Sequence, residues 1–164
     1  MLGKILSVNI SPGGIPKRPI TAGYATRTGL KGDLCAHPNI HGGPDQALLL
    51  VCQEAIDEMI ALGYPLFPGA LGENLTTQGL DRHQMRPGQR YRAGSALIEI
   101  THLREPCDTL NIYGQGIVQA LYDEQVKAGD PSSPKWGLGG FYAAVARPGY
   151  VSPGSAILLL DHIV

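Results

Sequence analysis

Short apolar runs separated by turn residues dominate the chain and predict strands rather than long helices. The five clearest runs are residues 3–10, 47–51, 96–100, 141–146 and 156–160. Each is five to eight residues long and has Gly, Asp or Ser within two positions of one end, which is typical of a strand. Residues 47–51 are apolar without alternation, so this run predicts a strand that is buried on both faces.

Two segments have helical periodicity instead. Within Gln53–Leu62, residues Ala55, Ile56, Met59 and Ile60 fall on one face, with acidic residues outside it, and Gly63 ends the pattern. A second short helix is predicted over Ile117–Lys127. Residues 11–19 contain three prolines and predict a loop, in which Lys17 and Arg18 are interpreted as a solvated surface pair.

The composition favours a mainly β fold with a few short helices (α+β). The 22 glycines and 13 prolines make up about a fifth of the 164 residues, as expected for short strands joined by turns. The pattern R-P-G, followed after five or four residues by G-S-A, occurs twice, beginning at Arg86 and at Arg147. Two copies are too few for a repeat protein, and they predict a barrel or sandwich that reuses one hairpin corner.

Charge and cysteine content exclude several classes of protein. Only 16% of residues are charged and the net charge is −1, which argues against a nucleic-acid-binding surface. The three cysteines have no framework spacing, and the N-terminus lacks the apolar region of a signal peptide. The longest apolar runs are about six residues, too short to span a membrane. We therefore expect a cytoplasmic protein without a structural disulfide.

The segment from Thr101 to Cys107 concentrates the chemistry of the chain. It follows the apolar run 96–100 and presents His102, Arg104 and Cys107 within six positions. An adjacent arginine favours the thiolate, which is the form of cysteine that attacks substrates or binds metals. The alternative interpretation of Cys107 is a small buried apolar residue, as for many free cysteines.

Three kinds of site are compatible with the residues alone. Cys35, His37 and His41, with His102 or Cys107, have side chains suited to zinc, although only the two histidines have a zinc-like spacing. Cys107 with His41 or His102 could instead form a Cys-His hydrolase or sulfurtransferase. In the third interpretation, Cys107 anchors a cofactor whose anionic groups are held by arginine and by backbone amides of glycine-rich turns.

Four segments in a fixed order resemble the MOSC domain, which is named for the C-terminal part of molybdenum-cofactor sulfurases. They are Gly32-Asp33, HGGPDQA at 41–47, PGALGENLTTQGL at 68–80 and REPC at 104–107. The resemblance implies one MOSC domain over residues 1–164, built as a β-barrel. It also implies that Cys107 binds the molybdenum of a molybdopterin-type cofactor or carries sulfur for it, which agrees with the preference of soft metals for thiolates.

The resemblance further implies how the site is divided among residues. Cys107 is the metal ligand and, with His102 as a proton relay, the catalytic residue. The implied cofactor-binding residues are Arg27, Lys31, His41, Gly42, Gly43, Asn74 and Arg104. The implied reaction is reduction of N-hydroxylated substrates or sulfur transfer, with an electron-donor reductase or a sulfurase protein as the partner. Nucleic acids and membranes are not expected as partners.

The chain also departs from longer relatives. It ends at Val164 without the C-terminal helical extension that we associate with them, and it lacks a sulfurase domain. Pyridoxal phosphate is therefore expected only through a separate protein or domain. A non-enzymatic module that carries the cofactor or binds a partner is the alternative to an enzyme.

Overall fold

Seven strands close into a barrel in the computed structural model, which describes residues 1–34 and 42–160. The strands are β1 (Leu2–Ile10), β2 (Arg18–Ile20), β3 (Gly23–Thr26), β4 (Gly29–Leu30), β5 (Leu48–Cys52), β6 (Leu75–Gln78), β7 (Arg90–Ala93), β8 (Ala96–Leu103), β9 (Phe141–Arg147), β10 (Gly149–Val151) and β11 (Ala156–Leu159). The α-helices are α1 (Gln53–Ala61), α2 (Ile117–Leu121) and α3 (Glu124–Lys127). Short 3-10 helices span Pro44–Gln46, Arg82–Gln84 and Asp108–Tyr113.

The barrel closes because β1 pairs on both of its edges. The order around it is β11-β7-β8-β9-β5-β6-β1, and β1 pairs with β11 as well as with β6. Residues Leu2–Lys4 bond to β11 and Lys4–Val8 bond to β6. The β5–β6 pair is parallel and the other pairs in the barrel are antiparallel. The predicted mainly β, barrel-like fold is confirmed.

The barrel interior is the apolar core. All five residues of β5 are buried, as their continuous apolar sequence predicts. Ile5, Ile98, Ile100 and Phe141 are fully buried on other strands of the barrel. Helix α1 buries Ala55, Ile56 and Met59 on the predicted face. Ile60, which the periodicity assigned to that face, is 47% exposed because the face in contact with the barrel is narrower than the apolar pattern.

The second copy of the R-P-G pattern is not a hairpin. In the first copy, β7 and β8 pair directly across the turn at Gly94-Ser95. In the second copy, β10 pairs with β3 in a separate sheet of order β10-β3-β4, whereas β11 returns to the barrel. The proline-containing turn 152–155 therefore carries the chain from one sheet to the other. Similar local sequence fixed the turns but not the strand partners.

The predicted helix over Ile117–Lys127 is divided in two. Tyr122 has extended backbone angles, φ −152° and ψ 146°, which end α2. The Asp123 side chain then accepts a hydrogen bond of 2.8 Å from the Val126 backbone N–H, as an N-cap of α3. Among residues 1–34 and 42–160, no helix is long and apolar enough to cross a membrane.

Candidate functional site

A cavity of about 250 Å³ opens at the side of the barrel where β8 ends. Segments distant in sequence line it: the loop after β1, the loop after β4, the loop before β6 and the segment that follows β8. Its polar side chains include Lys17, Asp33, Gln46, Asn74, Arg104, Cys107, Thr109 and Tyr142. The cavity combines a thiol, two cations and a carboxylate with apolar walls, which is typical of a small-molecule site.

Cys107 lies where the chain leaves the barrel. Its backbone is extended, with φ −119° and ψ 169°, and it directly precedes the 3-10 helix Asp108–Tyr113. The thiol is free and partly exposed, and its Sγ lies 2.9 Å from Thr109 Oγ1. A hydroxyl at this distance can donate to a thiolate and stabilise it. Cys107 is therefore placed as an accessible ligand or nucleophile, not as an apolar core residue.

Arg104 is a buried cation at the inner wall of the cavity. It is 6% exposed, and its guanidinium donates to the carbonyls of Gly139 at 3.2 Å and Leu71 at 3.0 Å. Its Nε has no hydrogen-bond partner within residues 1–34 and 42–160. Burial lowers the pKa of Arg104, while Tyr142, Cys107 and Glu73 act to raise it. Arginine stays protonated in proteins, so the cavity wall carries a fixed positive charge that is supported by the carbonyls of Gly139 and Leu71.

The buried Glu73 side chain holds the loop before β6 in place by hydrogen bonds. It is fully buried, and its Oε1 accepts hydrogen bonds from the Gly69 N–H at 2.5 Å and the Thr76 hydroxyl at 3.0 Å. Burial raises the pKa of Glu73. Gly69 has φ +93°, and a Cβ at this position would collide with the Lys17 carbonyl. The Gly69 carbonyl also accepts a hydrogen bond of 2.9 Å from the Lys17 N–H, so this loop positions Lys17.

Lys17 belongs to the cavity, and its interpretation as a solvated surface residue is wrong. Its side chain is 11% exposed, and its ammonium lies 2.6 Å from both carboxylate oxygens of Asp33. Asp33 also accepts from the Asn74 amide at 2.8 Å and from the Ser11 backbone N–H at 2.9 Å. The Asn74 carbonyl oxygen accepts from the Leu49 N–H, which ties this polar wall to β5.

His102 lies beside the cavity and contacts two residues that line it. Its Nε2 lies 3.1 Å from the Gln46 amide nitrogen, and its ring centroid lies 5.0 Å from that of Tyr142. With the amide nitrogen as donor, His102 Nε2 is the acceptor and the ring is neutral. Burial lowers the pKa of His102, partly offset by the negative charge of Asp45. A neutral ring is thus the stable form near pH 7.

We expect His102 to make the protein less stable in mild acid. Because the folded-state pKa lies below the unfolded value of about 6.5, the unfolded chain binds the proton first as the pH falls. Stability from this residue is present above pH 6.5 and is lost as the pH falls toward the folded pKa. Thermal unfolding of wild type and His102→Gln at pH 7.5 and 5.5 measures the effect. Between pH 7.5 and pH 5.5 the Tm of wild type should fall more than the Tm of His102→Gln. Equal falls in the two proteins would contradict this role of His102.

The other sequence-predicted residues fall into three groups. Asn74, Arg104, Cys107 and Gly42 line the cavity, whereas Gly43 (φ +102°) precedes the 3-10 helix Pro44–Gln46 without lining it. Cys35, His37 and His41 lie outside the described residues. Arg27 and Lys31 are exposed and do not line the cavity, so the structure does not bring them together with Cys107.

Lys17, Asp33, Gln46 and Tyr142 are site residues that the sequence did not assign. Asp33 and Gln46 each lie within a quoted MOSC-like motif, which was the available signal. Tyr142 follows Phe141 at the start of β9, so in the sequence it is indistinguishable from the other residues of an apolar strand. For Lys17 there was no local signal, because its burial depends on Gly69, which is 52 positions further along the chain.

Comparisons with known proteins agree with this geometry. The family model of the MOSC domain matches residues 37–158. This chain belongs to the MOSC domain family. The family is associated with binding of the molybdenum cofactor. The matched residues include Cys107, Arg104 and Asn74 of the cavity wall, whereas Lys17 and Asp33 precede the matched segment.

Several bacterial MOSC proteins are similar to the chain. It is 33% identical over 153 residues to the uncharacterized protein YflK of Bacillus subtilis, covering 91% of this chain and 64% of YflK. It is 32% identical over 147 residues to YiiM of Escherichia coli, covering 84% of this chain and 59% of YiiM. The chain therefore spans about three fifths of the length of these curated relatives.

Solved structures share the fold. The crystal structure of YiiM from Geobacillus stearothermophilus superposes with a TM-score of 0.70 at 25% identity, covering 99% of this chain and 77% of that chain. YiiM from Escherichia coli gives a TM-score of 0.69 at 26% identity, covering 99% of this chain and 71% of that chain.

In residues 1–34 and 42–160, no group of three or more His, Cys, Asp or Glu residues is placed to hold a metal ion.

Proposed function

We propose that this MOSC domain binds a molybdenum cofactor through Cys107 and reduces N-hydroxylated substrates. The observation that carries the proposal is the shared cavity of Cys107 and Arg104. Cys107 supplies an accessible soft thiol, and Arg104 supplies a buried positive charge whose Nε has no partner in the described part of the chain. A thiolate suits a soft metal centre, and an arginine with a free donor suits an anionic or polar group of the cofactor.

The residues of the cavity fit the parts of such a cofactor. Cys107 would hold the metal, and Arg104 would hold an anionic group. Lys17, Asp33 and Asn74 offer donors and acceptors at fixed positions for a polar heterocycle. When bound, the molybdenum centre supplies the two-electron chemistry, while the protein supplies orientation and electrostatics. Carbonyls hold Arg104 rigidly and Asp33 holds Lys17, so these contacts are organised before binding.

The overall reaction consumes two electrons and two protons. The N–O bond of R–NH–OH breaks, a proton joins the nitrogen to give R–NH₂, and the oxygen leaves with the other proton as water. The electrons come from a reduced electron-transfer protein, which is oxidised. His102 does not line the cavity, and the Gln46 amide that contacts its ring is not a proton carrier, so we take water in the open cavity as the source of both protons.

Turnover and mass measurements distinguish the reductase from a sulfur carrier. Protein from a cofactor-producing host is incubated with benzamidoxime and dithionite-reduced methyl viologen. We expect viologen oxidation with one amidine formed for each two electrons, and loss of activity in Cys107→Ser. No amidine from molybdenum-containing protein would contradict the reductase. A sulfur-sized mass increment on Cys107 that is removed by reduction would favour the carrier.

A further inference from the structure

Charge is strongly segregated between two parts of this nearly neutral chain. No Asp or Glu occurs in residues 1–32 or in residues 131–160. These two segments build the β10-β3-β4 sheet and the adjacent strands β1, β9 and β11. The acidic residues lie instead in the intervening chain, apart from Asp161. A surface built from the acid-free segments therefore carries positive charge without internal neutralisation.

Three exposed cations, Arg27, Lys31 and Arg147, belong to these segments, and Arg92 on β7 is a fourth that lies near Arg147. Arg27 occupies the turn between β3 and β4, and its Nη1 lies 3.5 Å from the carbonyl of Val145, two residues before Arg147. Arg147 pairs with Leu97, and Leu97 pairs with Arg92, so the two arginines stand two strands apart, about 10 Å, on the outer face of the barrel. Lys31 follows β4 directly.

None of these four side chains forms an ion pair within the described part of the chain. The ion pairs there involve Lys17, Arg82 and Arg90. The carboxylate of β8, Glu99, is already bound to Arg90 at 2.8 Å. The four charges are therefore available to an external anionic surface.

Two exposed tyrosines extend the same surface. Tyr24 and Tyr150 are a cross-strand pair of β3 and β10, with ring centroids 4.8 Å apart in an edge-to-face arrangement. They are 37% and 68% exposed. Tyrosine and arginine are the residues most enriched at the energetic centres of protein interfaces. We call Arg27, Lys31, Arg92, Arg147, Tyr24 and Tyr150 the cationic face.

The cationic face borders the cavity. Thr28 and Gly29 directly follow Arg27 and line both the cavity and a shallow groove that also contains Tyr24 and Lys31. A protein docked on this face would lie next to the site of reduction. This is the position that an electron donor requires, because its electrons must reach the cofactor that we propose for the cavity.

We propose that the cationic face is the docking surface for an acidic electron-transfer protein. The inference rests on the proposed reductase function, which needs an external source of electrons. Charge complementarity selects an acidic protein: electron-transfer complexes are small, transient and steered by opposite charges. A nucleic acid is disfavoured by the net charge of −1 of the whole chain.

Binding of flavodoxin, an acidic flavin protein, tests the docking surface without activity. Calorimetric titrations at about 20 mM and 200 mM salt compare wild type with Arg92→Glu/Arg147→Glu and with Lys127→Glu, a control on α3. We expect the double variant to weaken binding at least about tenfold and high salt to weaken wild-type binding similarly. Lys127→Glu should bind as wild type. Cofactor-free protein should give the same ranking, since the face does not include Cys107.

Kinetics separate this inference from the proposed function. With reduced flavodoxin as donor, the double variant should lose activity in proportion to its weaker binding, and it should keep the wild-type rate with methyl viologen. Docking is overturned if wild type binds neither flavodoxin nor a plant-type ferredoxin, if the double variant binds equally well, or if single-stranded DNA or anionic vesicles are bound in preference. Absence of viologen-driven turnover would instead contradict the reductase function.

Discussion

Replacing Asp33 by alanine is expected to destabilise the protein by about 3 kcal/mol or more, because it leaves a largely buried ammonium without its counterion. The side chains of Lys17 and Asp33 are only 11% and 12% exposed. The substitution also removes the acceptor of the Ser11 N–H and of the Asn74 amide. Urea unfolding of wild type and Asp33→Ala measures the loss of free energy.

A double variant shows whether the lost charge pair is the cause. Lys17→Met/Asp33→Asn removes both charges, and we expect it to be more stable than Asp33→Ala even though it carries two substitutions. Lys17→Met alone should also destabilise, since it isolates the carboxylate. If the double variant loses as much free energy of unfolding as Lys17→Met and Asp33→Asn lose separately when added together, the charges are not coupled and the buried ion pair is not the stabilising element.

The sequence predicted this fold well where structure is local. The continuous apolar run at 47–51 became the fully buried strand β5, and the periodic segment after it became α1 within one residue of its predicted end. Local hydrophobic pattern decides such elements, because strand and helix periods differ. The break between α2 and α3 was not predicted, because the apolar pattern continues across it while the Asp123 side chain caps a new helix.

The candidate site was predicted only in part, since much of it depends on contacts distant in sequence. Cys107 and Arg104 share one short motif, so their proximity was readable. The position of Lys17 in the site could not be predicted, because its contacts with Gly69 and Asp33 come from loops that are distant in sequence. The same limit applies to Arg27 and Lys31: their residue types fit a phosphate, yet the small sheet places them outside the cavity lining.

Replacing Cys107 by serine is expected to lower molybdenum retention by about tenfold or more, because the thiolate is the one side chain proposed to bind the metal. The fold should be unaffected, since Cys107 Sγ is partly exposed and its side-chain hydrogen bond within residues 1–34 and 42–160 is with the Thr109 hydroxyl. Circular dichroism and the urea midpoint of the variant should match those of wild type.

Cys52 provides the matched control for this substitution. It is a free cysteine of the same chain, 2% exposed on β5, and burial raises the pKa of its thiol to about 11. It is thus a protonated core residue with no access to the cavity. Cys52→Ala should keep the molybdenum content of wild type and should lose some stability instead.

Molybdenum content is the most direct test of the proposed site. Wild type, Cys107→Ser and Cys52→Ala are purified from the same cofactor-producing host and analysed by plasma mass spectrometry, with molybdenum expressed per protein chain. The proposed site predicts nearly stoichiometric metal in wild type and Cys52→Ala and very little in Cys107→Ser. Equal metal in all three proteins, or none in wild type, would contradict the assignment of Cys107 as the molybdenum ligand.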